Sequence, residues 1–383
     1  MPYTIHGDRI DTVADYLAAA FDPHAVDGLI SMDALADIRH VASLLPGAIT
    51  DFFGFECPLG SDRQEADFLV CCRVRHGSRE ILSGPVAGWD PFSRFQQEPI
   101  WRSIRKFANE WAEPSSPLYS AIHNLWIEFD IDDTLPSVPA PNVFIGVDHL
   151  RTFSPSAAQQ RSSAQYAWLT DLALPILRGE ATTPAVRRQL TRIVALLPPA
   201  AQVFQVGLML ARKFQGVRLC MRGIAIGQIA DYLSALEWDG DSIELECLLA
   251  WLEERVDRID LDLDMTDHVL PKIGLECYLG ASESRVCAFL DHLISCQLCT
   301  APKAAAVAMW TGIADEDQTP EIWPGNLAEA ARSSGAGFRS AFVRRLHHVK
   351  VDFHAVAPLQ AKAYLGVHHK WLAREMNRED IGS

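Results

Sequence analysis

The stretch VKVDFHAVAPLQAKAYLGVHH, residues 349–369, reads as two strands around a short turn. Side chains alternate between the two faces of a strand. Val349, Val351 and Phe353, then Ala361, Ala363, Leu365 and Val367, share one face. Lys350, Asp352 and His354, then Lys362, Tyr364, Gly366 and His368, share the other. One face is made for a core. The other carries so many chemically capable side chains that it calls for either bulk water or an enclosed site.

Working outward, the same pattern recurs. EADFLVCCRVRH (65–76) with SREILSG (78–84) reads as a first strand pair. LWIEFDID (125–132) with PNVFIGVD (141–148) is a second. VFQVGLMLAR (203–212) with GVRLCMRGI (216–224) is a third, and RIDLDLDM (258–265) with LPKIGLECYLG (270–280) is a fourth. Stretches with i, i+3, i+4 apolar spacing lie between the pairs, and two more, 11–21 and 31–45, precede them. The repeat is roughly 55 to 90 residues, longer than ordinary solenoid periods but still decisive for architecture. Strands joined by short turns are antiparallel, and the helices must cover their apolar face. An open sheet of ten such strands leaves two long edges, which closure removes. The expected fold is therefore α+β: a closed ten-stranded antiparallel β-barrel of five αββα repeats, ringed by helices, with a polar lumen. The expected division is a helical segment over 1–64 packed on the barrel, the barrel over 65–370 and a tail over 371–383.

Composition narrows the function. The chain has 383 residues and a net charge of −15. Such a balance argues against nucleic acid as main partner and against a polybasic membrane surface. No apolar run of about 18 residues is present and the N-terminus has no signal core, so a soluble, cytoplasmic protein is expected. Nine scattered cysteines do not suggest a disulfide framework, and Cys296-x-x-Cys299 has zinc-knuckle spacing without a second pair.

Five αββα units around a polar lumen resemble the ABBA, or prenyltransferase-barrel, family, and Lys362-Ala-Tyr364 resembles its Lys-x-Tyr pair. The resemblance implies transfer of a prenyl group from an allylic diphosphate to an aromatic or basic acceptor, a small molecule or a peptide, as in natural product biosynthesis. It implies that Lys362, Arg218, Arg222, Lys272 and Arg73, with Arg75, hold the diphosphate. Tyr364 and Tyr278 would shield the allylic cation. Trp126, Glu276 and Asp352 would line the substrate site. Asp67, or Glu65 beside it, and Glu128 would handle the proton.

Asp130, Asp132, Asp260, Asp262 and Asp264 crowd like charges onto two strands. Two unit charges about 4 Å apart repel by about 4 kcal/mol at an effective dielectric of 20. Either a cation such as Mg²⁺ or Ca²⁺ intervenes, or Asp260 and Asp262 hold a cationic acceptor. An alternative follows: a binding or accessory protein, or a cyclase or isomerase, using a carboxylate-rich lumen for a cationic ligand. A third reading comes from FDIDDTL (129–135), which resembles the first motif of haloacid-dehalogenase-type phosphatases. It would make Asp130 the nucleophile and Asp132 the general acid. The pairs His347-His348 and His368-His369 offer imidazoles that could meet at one barrel end and bind a metal.

Overall fold

The computed structural model describes residues 10–21, 23–85, 90, 92–132, 134–147, 166–280, 282–333 and 337–375. Among the described residues there are eleven strands: β1 Phe52–Pro58, β2 Asp67–Arg73, β3 Ile122–Phe129, β4 Asn142–Val147, β5 Gln202–Leu208, β6 Val217–Arg222, β7 Arg258–Met265, β8 Val269–Tyr278, β9 Gly312–Asp315, β10 Phe338–Phe353 and β11 Gln360–Ala373. Ten of them follow one another round a ring. β1 to β8 pair in chain order, β8 pairs with β10, β10 with β11, and β11 returns to β1. Every contact is antiparallel, so the barrel is closed as expected. β9 lies beside the first part of β10, outside the ring.

The alternation decides which face goes where. Phe53, Phe55, Leu125, Ile127, Leu219, Leu261, Leu263, Leu275, Val349, Val351, Ala363 and Leu365 belong to one apolar core cluster shared with the helices. The helix Pro99–Ala112 illustrates the cover. Pro99 starts it, where a missing N–H costs nothing, and Trp101, Ile104, Phe107, Ala108 and Trp111 form its buried stripe. The two indoles of this helix are satisfied: Trp101 Nε1–H donates to the Pro139 carbonyl at 3.0 Å, and Trp111 Nε1–H to that of Ile122 at 3.1 Å.

The first repeat departs from the sequence reading. The barrel begins at β1, within the segment expected to be helical and before the expected start at 65. SREILSG is not a strand: Ser78–Ser83 is a helix, entered through Gly77 at φ +73°. The strand signal in FFGFECP is weakened by Gly54 and Pro58, and β1 gains its pairing from β11, about three hundred residues away. The helices Val13–Ala20 and Met32–Ser43 thus stand before β1 as later helices stand before later pairs. At the other end β11 runs to Ala373, into the expected tail, while 376–383 lie outside the described residues. Part of the helix expected near 163–177 also lies outside them; from Trp168 it is a π-helical turn, Trp168–Ala173, leading into Leu174–Arg178. Among the described residues no helix is long and apolar enough to cross a membrane.

Candidate functional site

The inner faces of the strands enclose a cavity of about 260 Å³. One side is aromatic and soft. Phe52, Trp126, Phe144, Phe204 and Met209 line it, with the rings of Phe52 and Trp126 meeting edge-on at 4.8 Å. The backbone makes room for this wall, since a Cβ on Gly207 would lie 2.5 Å from the Phe144 ring. The other side is charged and comes from β1, β6, β7, β8, β10 and β11: Glu56, Arg218, Arg222, Asp262, Lys272, Glu276, Tyr278, Lys350, Asp352, Lys362 and Tyr364.

Every one of the six lysines and arginines lining the cavity has a carboxylate. Lys362 and the Tyr364 hydroxyl both donate to Glu56, and Lys350 to Asp262. Lys272 meets Asp352 at 3.0 Å. Arg218 grips Asp264 through two bonds of 2.8 and 2.9 Å, and Arg212 Nε–H donates to Asp130 at 2.8 Å. Arg222 stands 3.8 Å from Asp260 and stacks on Phe204. Gly274 permits the Lys350–Asp262 contact, because a Cβ there would meet Lys350 Cε at 2.4 Å.

These pairs set the protonation states. Burial alone would raise the Glu56 carboxyl, but Lys362 and Lys350 hold it down at about 2. Burial would lower Lys350 and Lys362; Asp262 and Glu56 respectively keep them above the usual lysine value. The carboxyls with no lysine or arginine bonded to them go the other way. Burial, then Glu56, pushes Glu128 well above the carboxylate range. Burial, then Asp262, pushes Glu276 up to about 8. The lumen therefore holds paired charges beside two carboxyls, Glu128 and Glu276, whose ionisation burial opposes.

Glu276 gives a testable pH dependence. Its folded value, about 8, lies above the ordinary 4.5, so between these values the native state binds a proton that the unfolded state does not. Its stabilising contribution is complete below the ordinary value and is lost as pH rises toward 8, at up to about 1.4 kcal/mol per pH unit. In urea unfolding at pH 5 to 8, Glu276→Gln should remove this downward slope. An unchanged slope would contradict the assignment.

Several residues expected from the sequence line the cavity together: Trp126, Glu128, Arg218, Arg222, Asp262, Lys272, Glu276, Tyr278, Asp352, Lys362 and Tyr364. Others stand elsewhere. Asp260 is fully buried beside Arg222 and Arg258 and is not among the lining residues. Asp67, at the start of β2 opposite Glu56, accepts the Ile131 N–H at 3.1 Å; burial, then Glu56, raises it to about 7. Glu65 is exposed. Arg73 ends β2 and Arg75 lies in the turn that follows, where strand alternation no longer applies; both bind Asp51, at 3.2 and 2.8 Å.

Asp130 is held by Arg212 and by the Asn142 side-chain amide, while exposed Asp132 caps Thr134; Asp133 lies outside the described residues. Both described aspartates follow an antiparallel strand, whereas the phosphatase motif needs a parallel sheet, so that reading is withdrawn. The histidines do not form one group. His368 stacks on Phe52 with centroids 3.6 Å apart, and His369 bonds Ser340 at 2.8 Å. A register shift between Leu346 and His348 turns both His347 and His348 into the lumen.

The sequence reading missed Glu56 because it missed β1. It placed Lys350 on the polar face without giving it a role, and it passed over Phe144, Phe204 and Arg212 as lining residues. The alternation of Phe52, Gly54 and Glu56 against Phe53, Phe55 and Cys57 was the available signal.

The chain is similar to solved prenyltransferases. The 5-dimethylallyltryptophan synthase from Streptomyces coelicolor is 14% identical, with 93% of this chain and 98% of that chain covered, at TM-score 0.49. The prenyltransferase PriB in its apo form is 13% identical over 93% and 96%, also at 0.49. AnaPT from Neosartorya fischeri is 13% identical over 94% and 90%, at 0.47. No family model matches the chain, and no curated protein matches it.

Among the described residues one group is spaced to hold a metal ion: Cys220, Asp262 and Glu276. Mg²⁺ prefers an octahedron of oxygens and keeps several waters. A thiol and two carboxylates, one already bonded to Lys350, do not fit it.

Proposed function

We propose that the protein is a prenyltransferase-type transferase, moving a prenyl group from an allylic diphosphate to an aromatic or basic acceptor inside the barrel. One observation supports this above others: a single cavity joins an aromatic wall to a band of six cationic side chains. An allylic diphosphate has the same two-part character. Its diphosphate suits guanidinium and ammonium donors, and its delocalised cation suits aromatic faces that exclude water.

In this reading Arg218, Arg222, Lys272, Lys350 and Lys362 receive the diphosphate. The allylic C–O bond breaks, and its electron pair leaves with the diphosphate. Phe52, Trp126, Phe144 and Tyr364 face the cation. The acceptor's π electrons, or a lone pair on nitrogen, form the new bond to carbon. An aromatic acceptor then loses its proton to a carboxylate. Glu56 is ionised and oriented by Lys362 and Tyr364, and the arenium intermediate is acidic enough for a weak base to suffice. Incubation with an isotopically labelled allylic diphosphate and a panel of indoles and phenols should give products heavier by one prenyl group, with release of inorganic diphosphate. Absence of both products and diphosphate binding would contradict the proposal.

The complete pairing of the lining cations favours a second reading, in which the carboxylates serve a cationic ligand and diphosphate chemistry is absent. It predicts that Asp262→Asn weakens uptake of an arylamine or guanidine while diphosphates have no effect on that uptake. Diphosphate competition with the amine would count against it.

A further inference from the structure

We propose that one end of the lumen is a subsite for a carboxylate, formed by Arg222 and Arg258, and that the acceptor is an aromatic acid. The inference rests on the prenyl-transfer reading only in calling the bound acid an acceptor. Arg212, Arg218, Lys272, Lys350 and Lys362 each have a carboxylate of their own. Arg222 and Arg258 share one. Arg258 Nε meets Asp260 Oδ1 at 3.0 Å, and Arg222 Nη2 stands 3.8 Å from Asp260 Oδ2. Asp260 is fully buried, and its two oxygens draw two guanidinium groups to one place. Glu276, the cross-strand partner of Asp260, accepts from the Tyr278 hydroxyl at 2.9 Å. Among the described residues it pairs with neither arginine.

Both guanidinium groups are held in a way that leaves donors for a ligand. Arg258 stands exposed at the rim, and Arg222 lines the cavity inside it. Arg222 lies 3.8 Å over the Phe204 ring, and Arg258 lies 3.8 Å over that of Tyr278, its direct cross-strand partner. Stacking uses the face of a guanidinium and leaves the N–H edge in its plane free to bond. Arg222 Nε is buried and has no hydrogen-bond partner among the described residues, and buried N–H groups are rarely left unmet. A ligand carboxylate gives these two arginines the one-to-one pairing of the other lining cations, and its planar shape matches the guanidinium fork. A diphosphate carries more charge and would stand against Asp260 with two arginines to hold it. Phe204, Tyr278 and His347 line the cavity beside the pair, so the ring of the acid finds aromatic surface next to its carboxylate.

The subsite lies at the far end from the Arg218–Asp264 pair. Arg258 begins β7 and Asp264 comes near its end, a separation of about 20 Å along a strand. The acid therefore sits with its carboxylate at the Arg258 rim and its ring toward the middle of the barrel. In this arrangement Arg222 serves the acceptor, and the diphosphate keeps Arg218, Lys272, Lys350 and Lys362.

Calorimetry on the full chain, with no prenyl donor present, compares indolepropanoate and hydroxyphenylpropanoate with their neutral amides. At least one acid should bind about tenfold or more tightly than its amide, the scale of one charge-assisted hydrogen bond. Arg258→Gln should remove that preference while leaving the affinity for a non-hydrolysable allylic thiolodiphosphate as it is in the unaltered protein. Arg258→Lys, which keeps the charge but not the fork, should retain part of the preference. No preference for acid over amide in either pair overturns the subsite. So does a preference that survives Arg258→Gln. Loss of acid and thiolodiphosphate alike, in an Arg258→Gln variant with native circular dichroism, overturns it too, because the arginines would then belong to the donor. An acid preference in a protein that binds no thiolodiphosphate would uphold the subsite and end the prenyl-transfer reading.

Discussion

Lys350→Met should lower the free energy of unfolding by about 3–5 kcal/mol, the usual cost of breaking a buried ion pair from one side. Lys350 is 3% exposed, and Asp262, its partner, is equally enclosed. The substitution leaves Asp262 with a buried, uncompensated charge, and it removes one of the two lysines, Lys350 and Lys272, that together hold the Asp352 carboxyl low against the effect of burial. Removing both members of the pair is a different experiment. Lys350→Met with Asp262→Leu should recover most of the loss, because well-packed apolar residues commonly replace a buried pair without penalty. Urea unfolding of the three proteins checks this. A loss below about 1 kcal/mol in the single variant would mean that the pair is hydrated rather than buried.

The largest functional effect should follow from Lys362→Ala combined with Arg218→Ala: affinity for an allylic diphosphate should fall at least about 100-fold. Each charge-assisted hydrogen bond is worth about 1.5–3 kcal/mol, and a factor of ten corresponds to 1.4 kcal/mol. The carboxylates left behind deepen the effect. Glu56 loses Lys362, and Asp264 loses the two bonds from Arg218. Both then meet the incoming anion as bare negative charge. Calorimetry on a variant with native circular dichroism measures the effect, and undiminished binding would place the diphosphate elsewhere.

Most of the barrel was legible because its rule is local. Alternation in RIDLDLDM or QAKAYLGVHH assigns each side chain to core or lumen without knowledge of its neighbours, and repetition of that pattern implied closure. What escaped depended on distant or irregular features. β1 carries Gly54 and Pro58 and is paired by the last strand of the chain. SREILSG alternates over too few residues to separate a strand from one helical turn. Adjacent His347 and His348 cannot both face inward under strict alternation, and only a register shift brings them there.

The site was legible in its residue types and not in its electrostatics. Lys362, Tyr364, Arg218 and Lys272 could be placed in the lumen from parity alone. That Asp264 holds Arg218 follows from direct cross-strand register, whereas Lys350, directly opposite Glu276, reaches diagonally past Gly274 to Asp262, a choice that only the folded barrel shows. The apparent conflict between cations and aspartates in the sequence becomes, in three dimensions, a set of ion pairs.

The central claim, that this lumen receives an allylic diphosphate, is tested most directly by calorimetric titration of the intact protein with a non-hydrolysable allylic thiolodiphosphate. The account predicts one molecule bound per chain, with an affinity that weakens as salt rises, since the contacts are ionic. Absence of binding by the unaltered protein, with an arylamine or guanidine bound instead, would contradict it.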